Sequence, residues 1–171
     1  MNRLIVVGAI FIVLTASGGI LAYLAYVDTI YALERANALF SRAETAGFAE
    51  GVVLYMDSGR KFLPTEGNPV WIFPTDKTNF RLINNDLNEL LERGRMLQKL
   101  PRNSDGYQQG MDDLRGRIKT IQIQVSEAAP FLYASLPHIL TSLAWTILLL
   151  GFISYLSRRK GESAPLDYSG T

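Results

Sequence analysis

Two long apolar stretches without charged residues dominate the hydrophobic pattern of this chain. The first runs over Leu4–Val27, 24 residues, and the second over Ile139–Leu156, 18 residues. A helix that crosses the roughly 30 Å hydrocarbon core of a bilayer needs about 20 apolar residues. The pattern therefore predicts an all-α integral membrane protein, with transmembrane helices over residues 1–27 and 138–157.

Basic residues flank the two stretches. Arg3 precedes the first, and the run Arg158–Lys160 follows the second. Lys and Arg beside spans concentrate on the cytoplasmic side, so we expect both termini in the cytoplasm of a cell (inner) membrane and residues 28–137 outside it. A cleaved signal peptide is the alternative for the first stretch, but its apolar region would run about 7–15 residues. We expect an uncleaved anchor and, over residues 158–171, a disordered cytoplasmic tail.

The extracytoplasmic segment starts with a helical pattern. No proline occurs between Leu4 and Asp57, and small or apolar residues recur three and four apart, which predicts one long helix over about residues 28–56. Gly47 is a point where this helix could break, and its remainder would then fold back as a fourth helix. The face predicted to pack includes Ala32, Ala36, Leu39, Ala43, Ala46, Val53 and Met56.

Residues 76–100 and 104–127 carry the clearest pattern, with apolar positions alternately three and four apart. Thr75 or Asp76 is predicted to cap the first of these helices, and Asn103 or Ser104 the second. Two heptad-patterned helices joined by a short turn form an antiparallel, coiled-coil-like hairpin. The positions are Phe80, Ile83, Leu87, Leu90, Gly94 and Leu97, then Tyr107, Met111, Leu114, Ile118, Ile121 and Val125.

The intervening residues 57–75 read as a loop, because they contain three prolines and two glycines. In a three-helix bundle this loop must return from the far end to the membrane, about 40 Å, which 19 extended residues can span at roughly 60 Å. That path places Trp71 and Phe73 near the outer membrane interface, where aromatic side chains are enriched. Beyond the loop, Pro130 and Pro137 are predicted to kink or break the third helix.

Composition excludes several classes of function. The formal net charge is +1, and residues 28–137 hold 13 basic and 14 acidic residues, so no basic surface for nucleic acid is expected. The chain has no cysteine, which excludes disulfides, thiolate metal sites and a cysteine nucleophile.

Candidate chemistry is sparse, and neither a cofactor nor a metal site is predicted. His138 is the only histidine. A haem or chlorophyll ligand or a proton relay is the functional interpretation, and an interfacial polar residue is the favoured one. The carboxylates lie on heptad helices, where Glu89 with Arg93 and Asp113 with Arg117 are spaced for ion pairs. We therefore expect a protein that is not an enzyme.

Two surfaces are predicted to bind partners. Gly18 and Ala22 form a small-xxx-small pair, which lets transmembrane helices pack closely, and Trp71, Ile72 and Phe73 form an apolar triplet in the loop. Packing in the bundle core or facing lipid are the alternatives for the triplet. The leading hypothesis is a non-catalytic subunit of a larger membrane complex, in contact with lipid and other integral subunits. A homo-oligomer and an extracytoplasmic sensor that signals through a separate partner are the alternatives.

Overall fold

The computed structural model describes the backbone of residues 3–162 and the side chains of residues 5–158. This part of the chain contains no strand. It divides into two compact units. One unit combines the residues up to Ala22 with those from Leu136 onward, and the other is Tyr23–Ser135. Its α-helices are α1 (Arg3–Tyr26), α2 (Ala32–Glu44), α3 (Ala49–Arg60), α4 (Phe80–Leu97), α5 (Asp105–Tyr133) and α6 (Leu136–Glu162).

The unit formed by α1 and α6 has an exposed apolar surface. Large side chains such as Ile12, Val13, Ile147 and Leu148 are each more than three-fifths exposed. Helices that are apolar all round are typical of a membrane span or the core of a large protein. Two helices in the described chain are long and apolar enough to cross a membrane, as the sequence predicts.

The backbone stays helical from α1 into α2. Between them lie five π-helical residues, Val27–Tyr31, and the Thr29 hydroxyl donates to the carbonyl of Ala25 in this stretch. Single π-helical turns of this kind commonly interrupt otherwise regular α-helices. The predicted uninterrupted helix is therefore found as far as Glu44.

The second unit contains an antiparallel four-helix bundle. Each helix packs against two neighbours in the cyclic order α2, α3, α4, α5. Side chains of α5 bond to the α2 region in antiparallel register: Arg115 donates to the carbonyl of Ala46, and the Ser126 hydroxyl accepts from the side-chain Nδ2 of Asn37. Four consecutive helices that each pack against their neighbours in this order form an up-down-up-down bundle.

The two ends of the bundle differ. At the proximal end, the π-helical segment and the last turn of α5 connect covalently to α1 and α6. At the distal end lie the two short connections, residues 45–48 and residues 98–104. The π-helical segment packs against α5, so both connections toward the apolar helices leave from the same end of the bundle.

The bundle core confirms the heptad prediction. All twelve predicted positions in α4 and α5 are buried. In α2, Ala36 and Ala43 are buried as predicted, but Leu33 and Phe40 complete the face instead of Ala32 and Leu39. The spacing 33, 36, 40, 43 fits a helix equally well and buries larger side chains, which gains more from the hydrophobic effect.

The prediction of one helix over residues 28–56 is wrong. The first helix ends at Glu44, and α3 begins at Ala49 and packs back against α2, so the alternative with a break near Gly47 is correct. The Tyr107 hydroxyl accepts a buried hydrogen bond from the amide of Ala49 at 2.9 Å. This bond satisfies one of the amides that a helix start leaves without an intrahelical partner.

The loop boundaries also differ from the prediction. Helix α3 extends to Arg60, and α4 starts at Phe80 after a 3-10 turn over Asp76–Thr78, so the loop covers residues 61–79. Asn79 caps α4 by accepting from the amide of Arg81, in place of the predicted Thr75 or Asp76. Because α3 returns to the proximal end, the loop starts there and does not cross the length of the bundle.

The predicted cap of α5 and the break before α6 are found. The Ser104 side chain accepts from the amide of Tyr107. Pro130 lies inside α5. This helix ends at Tyr133, and Pro137 lies in the first turn of α6, where a proline removes no hydrogen bond.

Helix α6 continues to Glu162, so the tail that was predicted to be disordered begins with helix. Residues 163–171 of that tail, and the Arg3, Arg159 and Lys160 side chains, lie outside the described part.

The substitution Tyr107→Phe should destabilise the bundle by about 1–3 kcal/mol, because it leaves the amide of Ala49 buried without its acceptor. Urea unfolding of the full-length protein in detergent micelles, followed by circular dichroism, measures the change. The matched control is Tyr55→Phe, in a half-buried ring on α3. Equal losses of stability in the two variants would contradict the role of the Tyr107 hydroxyl.

Candidate interaction surfaces

A tryptophan of α6 occupies the Gly18 surface of α1. The Trp145 Nε1 donates to the carbonyl of Leu14 at 3.2 Å and to the Ser17 hydroxyl at 3.3 Å. A Cβ at Gly18 would stand 2.5 Å from the Trp145 ring, so only glycine leaves room for it. The structure therefore places Gly18, predicted to bind a partner, in a contact between helices of the same chain.

The neighbouring small residues of α1 remain open. Ala22 is exposed, and a Cβ at Gly19 would meet nothing within 4 Å. Gly19 lies about 100° around the helix from Gly18. One part of the small-residue surface is therefore used within the chain, while Gly19 and Ala22 are accessible to another helix.

The triplet Trp71–Phe73 forms an exposed apolar tip of the 61–79 loop. Trp71 is 50%, Ile72 55% and Phe73 80% exposed, which shows that the triplet is not part of the bundle core. The Trp71 Nε1 donates to the carbonyl of Ala134 at 3.2 Å, directly after the end of α5. The tip, which we define as these three residues, therefore belongs to the proximal end.

Hydrogen bonds from one asparagine hold the base of this tip. The Asn68 Nδ2 donates to the carbonyl of Thr75 at 2.7 Å, and its Oδ1 accepts from the amide of Val70 at 3.1 Å and from the Thr78 hydroxyl at 2.9 Å. The Val70 side chain is buried. We call this arrangement the Asn68 clasp; it closes a loop of six residues, 69–74, and fixes the direction in which the tip leaves the bundle.

A second asparagine fixes the loop to α4. The buried Asn84 donates from Nδ2 to the carbonyl of Pro64 at 2.8 Å and to that of Phe80, also at 2.8 Å. The amide of Phe80 in turn donates to the carbonyl of Gly67 at 2.9 Å. Buried polar groups in native proteins are generally satisfied in this way, and here they give a long loop a defined conformation.

Exposed aromatic side chains concentrate at the proximal end. In the described unit Tyr23–Ser135, six of the seven exposed aromatic residues lie in the tip or beside the junctions with α1 and α6. The exception, Phe48, lies at the distal end. The six are Tyr23, Tyr26, Tyr31, Trp71, Phe73 and Tyr133.

The distal end presents an apolar surface that the sequence analysis did not identify. Phe48 is 53% exposed and carries the Arg102 guanidinium 4.2 Å from its ring centroid. Arg102 also pairs with Glu50 at 3.1 Å. Hydrogen bonds from the Glu50 amide and from Arg102 hold the pKa of the Glu50 carboxyl below its usual value. With Met96 and Leu100, also exposed, Phe48 forms what we call the distal surface.

The signal for the distal surface in the sequence is weak. Phe48 lies next to Gly47 inside an alanine-rich pattern, where an apolar residue reads as one more helix position. It becomes exposed because the chain turns there. Only knowledge of the break after Glu44 would have singled it out.

The ionisable side chains form surface ion pairs. Arg93 contacts Glu89 at 2.7 Å and Asp113 at 3.2 Å, and Arg117 contacts the same two carboxylates, so both predicted pairs are confirmed.

His138 lies half-buried in the first turn of α6. Within residues 5–158, no group of three or more His, Cys, Asp or Glu side chains is placed to hold a metal ion.

A polar cleft lies where the end of α3, the loop and the start of α4 meet. Its volume is about 470 Å³, and its lining includes the cations Arg60, Lys61 and Arg81 beside the carboxylate of Asp57. The Arg60 guanidinium donates to the Asn88 Oδ1 across the cleft. The excess of cationic groups favours a small anion over a cation as an occupant.

No protein-family model, no curated protein and no solved structure matches this chain. The exposed residues and their chemistry are therefore the basis on which a function is proposed. Three surfaces stand out in the described part of the chain: the open small residues of α1, the apolar tip, and the distal surface.

The substitution Gly18→Ala should weaken the contact between α1 and α6, because the added methyl group would overlap the Trp145 ring. Overpacking of this kind costs about 1–3 kcal/mol. Unfolding of the protein in mixed micelles of increasing dodecyl sulfate content measures the loss. Gly19→Ala is the matched control, since its methyl group meets open space, and it should be neutral or slightly stabilising. Identical behaviour of the two variants would contradict the Gly18–Trp145 contact.

Proposed function

We propose that this chain is a two-pass membrane protein that serves as a non-catalytic accessory subunit of a larger membrane complex. Both termini lie in the cytoplasm, with the four-helix bundle on the other side. The apolar surfaces of α1 and α6 support the spanning role, and the basic residues around Arg158 support the orientation.

The observation that carries the proposal is the distal surface. The bundle has a complete core, so burial of Phe48, Met96 and Leu100 is not needed for the fold. Exposed apolar groups of this kind commonly mark interaction sites. Phe48 with Arg102 stacked on it combines an aromatic ring and a guanidinium, two groups that are enriched in the energetic centres of protein interfaces.

Within the membrane, the open residues Gly19 and Ala22 support the same role. Transmembrane helices associate through small residues that let their backbones approach closely. Gly18 already serves this purpose toward α6. A helix of another subunit would use the adjoining surface, so that the accessory chain contacts its partner both within the bilayer and through the bundle.

Surface chemistry supports packing over catalysis. Glu89 of α4 and Asp113 of α5 are engaged with Arg93 and Arg117 in solvent-exposed pairs, which is typical of a solvated helix face. The work that we assign to the chain is to stabilise its partners by helix packing.

Purification from the native membrane in mild detergent, with a native gel and mass spectrometry of the components, tests this proposal. We expect a complex with larger subunits in a fixed ratio. The double variant Phe48→Ser with Leu100→Ser should lose the partners at least in part, because it removes the apolar contacts of the distal surface.

The control is Leu54→Ser, which changes a leucine on α3 that is more exposed than Leu100, lies outside the distal surface, and should retain the partners. A wild-type protein that purifies alone, as a monomer or a homodimer, would overturn the accessory role. Loss of partners in the Leu54 variant alone would move the interface away from the distal surface.

The second candidate function, an extracytoplasmic sensor module, is favoured by the polar cleft. Arg60, Lys61 and Arg81 line it, so its ligand would be a small anion such as a carboxylate or phosphate. The chain would then signal through a separate partner.

Thermal unfolding of the purified full-length protein with citrate or inorganic phosphate tests the sensor function. A ligand that binds only the folded state raises the melting temperature, and the increase grows with the ratio of ligand concentration to dissociation constant. We expect this increase to disappear in Arg81→Gln and to persist in Arg95→Gln, which alters an exposed arginine elsewhere on α4. An unchanged melting temperature of the wild-type protein with both anions would remove this candidate.

A further inference from the structure

We propose that the tip, Trp71–Phe73, is inserted into the headgroup region of the bilayer and gives the bundle a third attachment to the membrane besides α1 and α6. This inference rests on the spanning role proposed for these two helices. It deepens that role, because it assigns lipid as the binding partner of the tip.

The position of the tip in the fold is the first argument. Trp71 bonds to the carbonyl of Ala134, and α6 starts two residues later at Leu136. The π-helical segment, which follows α1 along the chain, packs against α5 as well. The tip therefore lies at the end of the bundle from which the chain leaves toward both apolar helices.

The conformation of the tip is the second argument. Six consecutive residues, 69–74, carry no charge, and the Asn68 clasp joins the two ends of this segment. Ordering a flexible loop on binding costs free energy, and a loop already held in one conformation avoids most of that cost. Val70 points into the bundle, whereas the three residues after it are exposed.

The distribution of aromatic residues is the third argument. Tryptophan and tyrosine are enriched at membrane–water interfaces, because their rings favour the apolar side and their polar atoms the headgroups. Around the tip, the exposed Tyr26, Tyr31 and Tyr133 belong to the two junctions. Of the seven exposed aromatic residues in the described unit Tyr23–Ser135, only Phe48 lies at the distal end.

Lipid fits the tip better than a protein groove does. The indole N–H of Trp71 already has its acceptor in Ala134, so the exposed side chains of the tip present only apolar ring and aliphatic atoms and need no further hydrogen bond. Hydrocarbon satisfies such a surface without specific partners. Glu66, Asp76 and Lys77, which flank the tip in sequence, would remain in water with the headgroups.

Site-directed spin labelling of the full-length protein in phosphatidylcholine–phosphatidylglycerol liposomes tests the inference. The chain has no cysteine, so Phe73→Cys gives one labelled position at the tip. Phe48→Cys, also an exposed phenylalanine, is the matched control at the distal end, and Ile12→Cys on α1 reports the spanning helix. Collisions with molecular oxygen, which concentrates in lipid, are compared with collisions with a water-soluble nickel complex.

We expect the label at residue 73 to show a several-fold lower accessibility to nickel, relative to oxygen, than the label at residue 48. A nickel accessibility equal to that at residue 48 would place the tip in water, and low accessibility to both reagents would place it in a protein contact. Either result overturns the inference. If the label at residue 12 is in lipid, the failure concerns the tip alone, whereas a water-exposed residue 12 would refute the spanning role.

Discussion

The reversal of the chain between Glu44 and Ala49 determines the arrangement of everything that follows it. A helix start exposes amides that need acceptors, and at Ala49 the acceptor is the hydroxyl of Tyr107, 58 residues later in the chain. With this bond made, α3 returns along α2 and closes a ring of four helices with α4 and α5. The loop after α3 then begins at the proximal end, which is why Trp71 and the end of α5 meet.

The sequence predicted the features that depend on residues close together in the chain, but not those that depend on contacts between residues far apart in it. The heptads of α4 and α5, the Ser104 cap and the pairs Glu89–Arg93 and Asp113–Arg117 depend on residues within a few turns of each other, so periodicity and spacing were sufficient. At the end of α2, spacing left both an uninterrupted helix and a break near Gly47 open and could not decide between them. Its alanine-rich pattern continues smoothly past Gly47, and the group that stabilises the turn comes from another helix.

For the candidate surfaces, too, the sequence predicted local properties but not contacts between distant parts of the chain. Exposure of Trp71, Ile72 and Phe73 agrees with their place in a proline-rich loop, and small residues on α1 indicated a close helix contact. The sequence could not tell which small residue faces the chain's own α6, because this depends on where Trp145 lies. The hydrogen bonds of Trp145 to Leu14 and Ser17 have a physical reason: a donor in an apolar surrounding needs an acceptor, and a carbonyl and a hydroxyl of the neighbouring helix provide it.

The Asn68 clasp separates two kinds of residue in the loop. Asn68, Thr75 and Thr78 bond to one another, whereas the side chains of Trp71, Ile72 and Phe73 point away from this network. Ile72 and Phe73 can therefore be exchanged without disturbing the bundle, as in an Ω-loop whose ends are held together, whereas Val70 is buried and Trp71 bonds to the carbonyl of Ala134. Natural variation or design could alter the chemistry of residues 72 and 73 independently of the fold, because the hydrogen bonds that support them come from other residues.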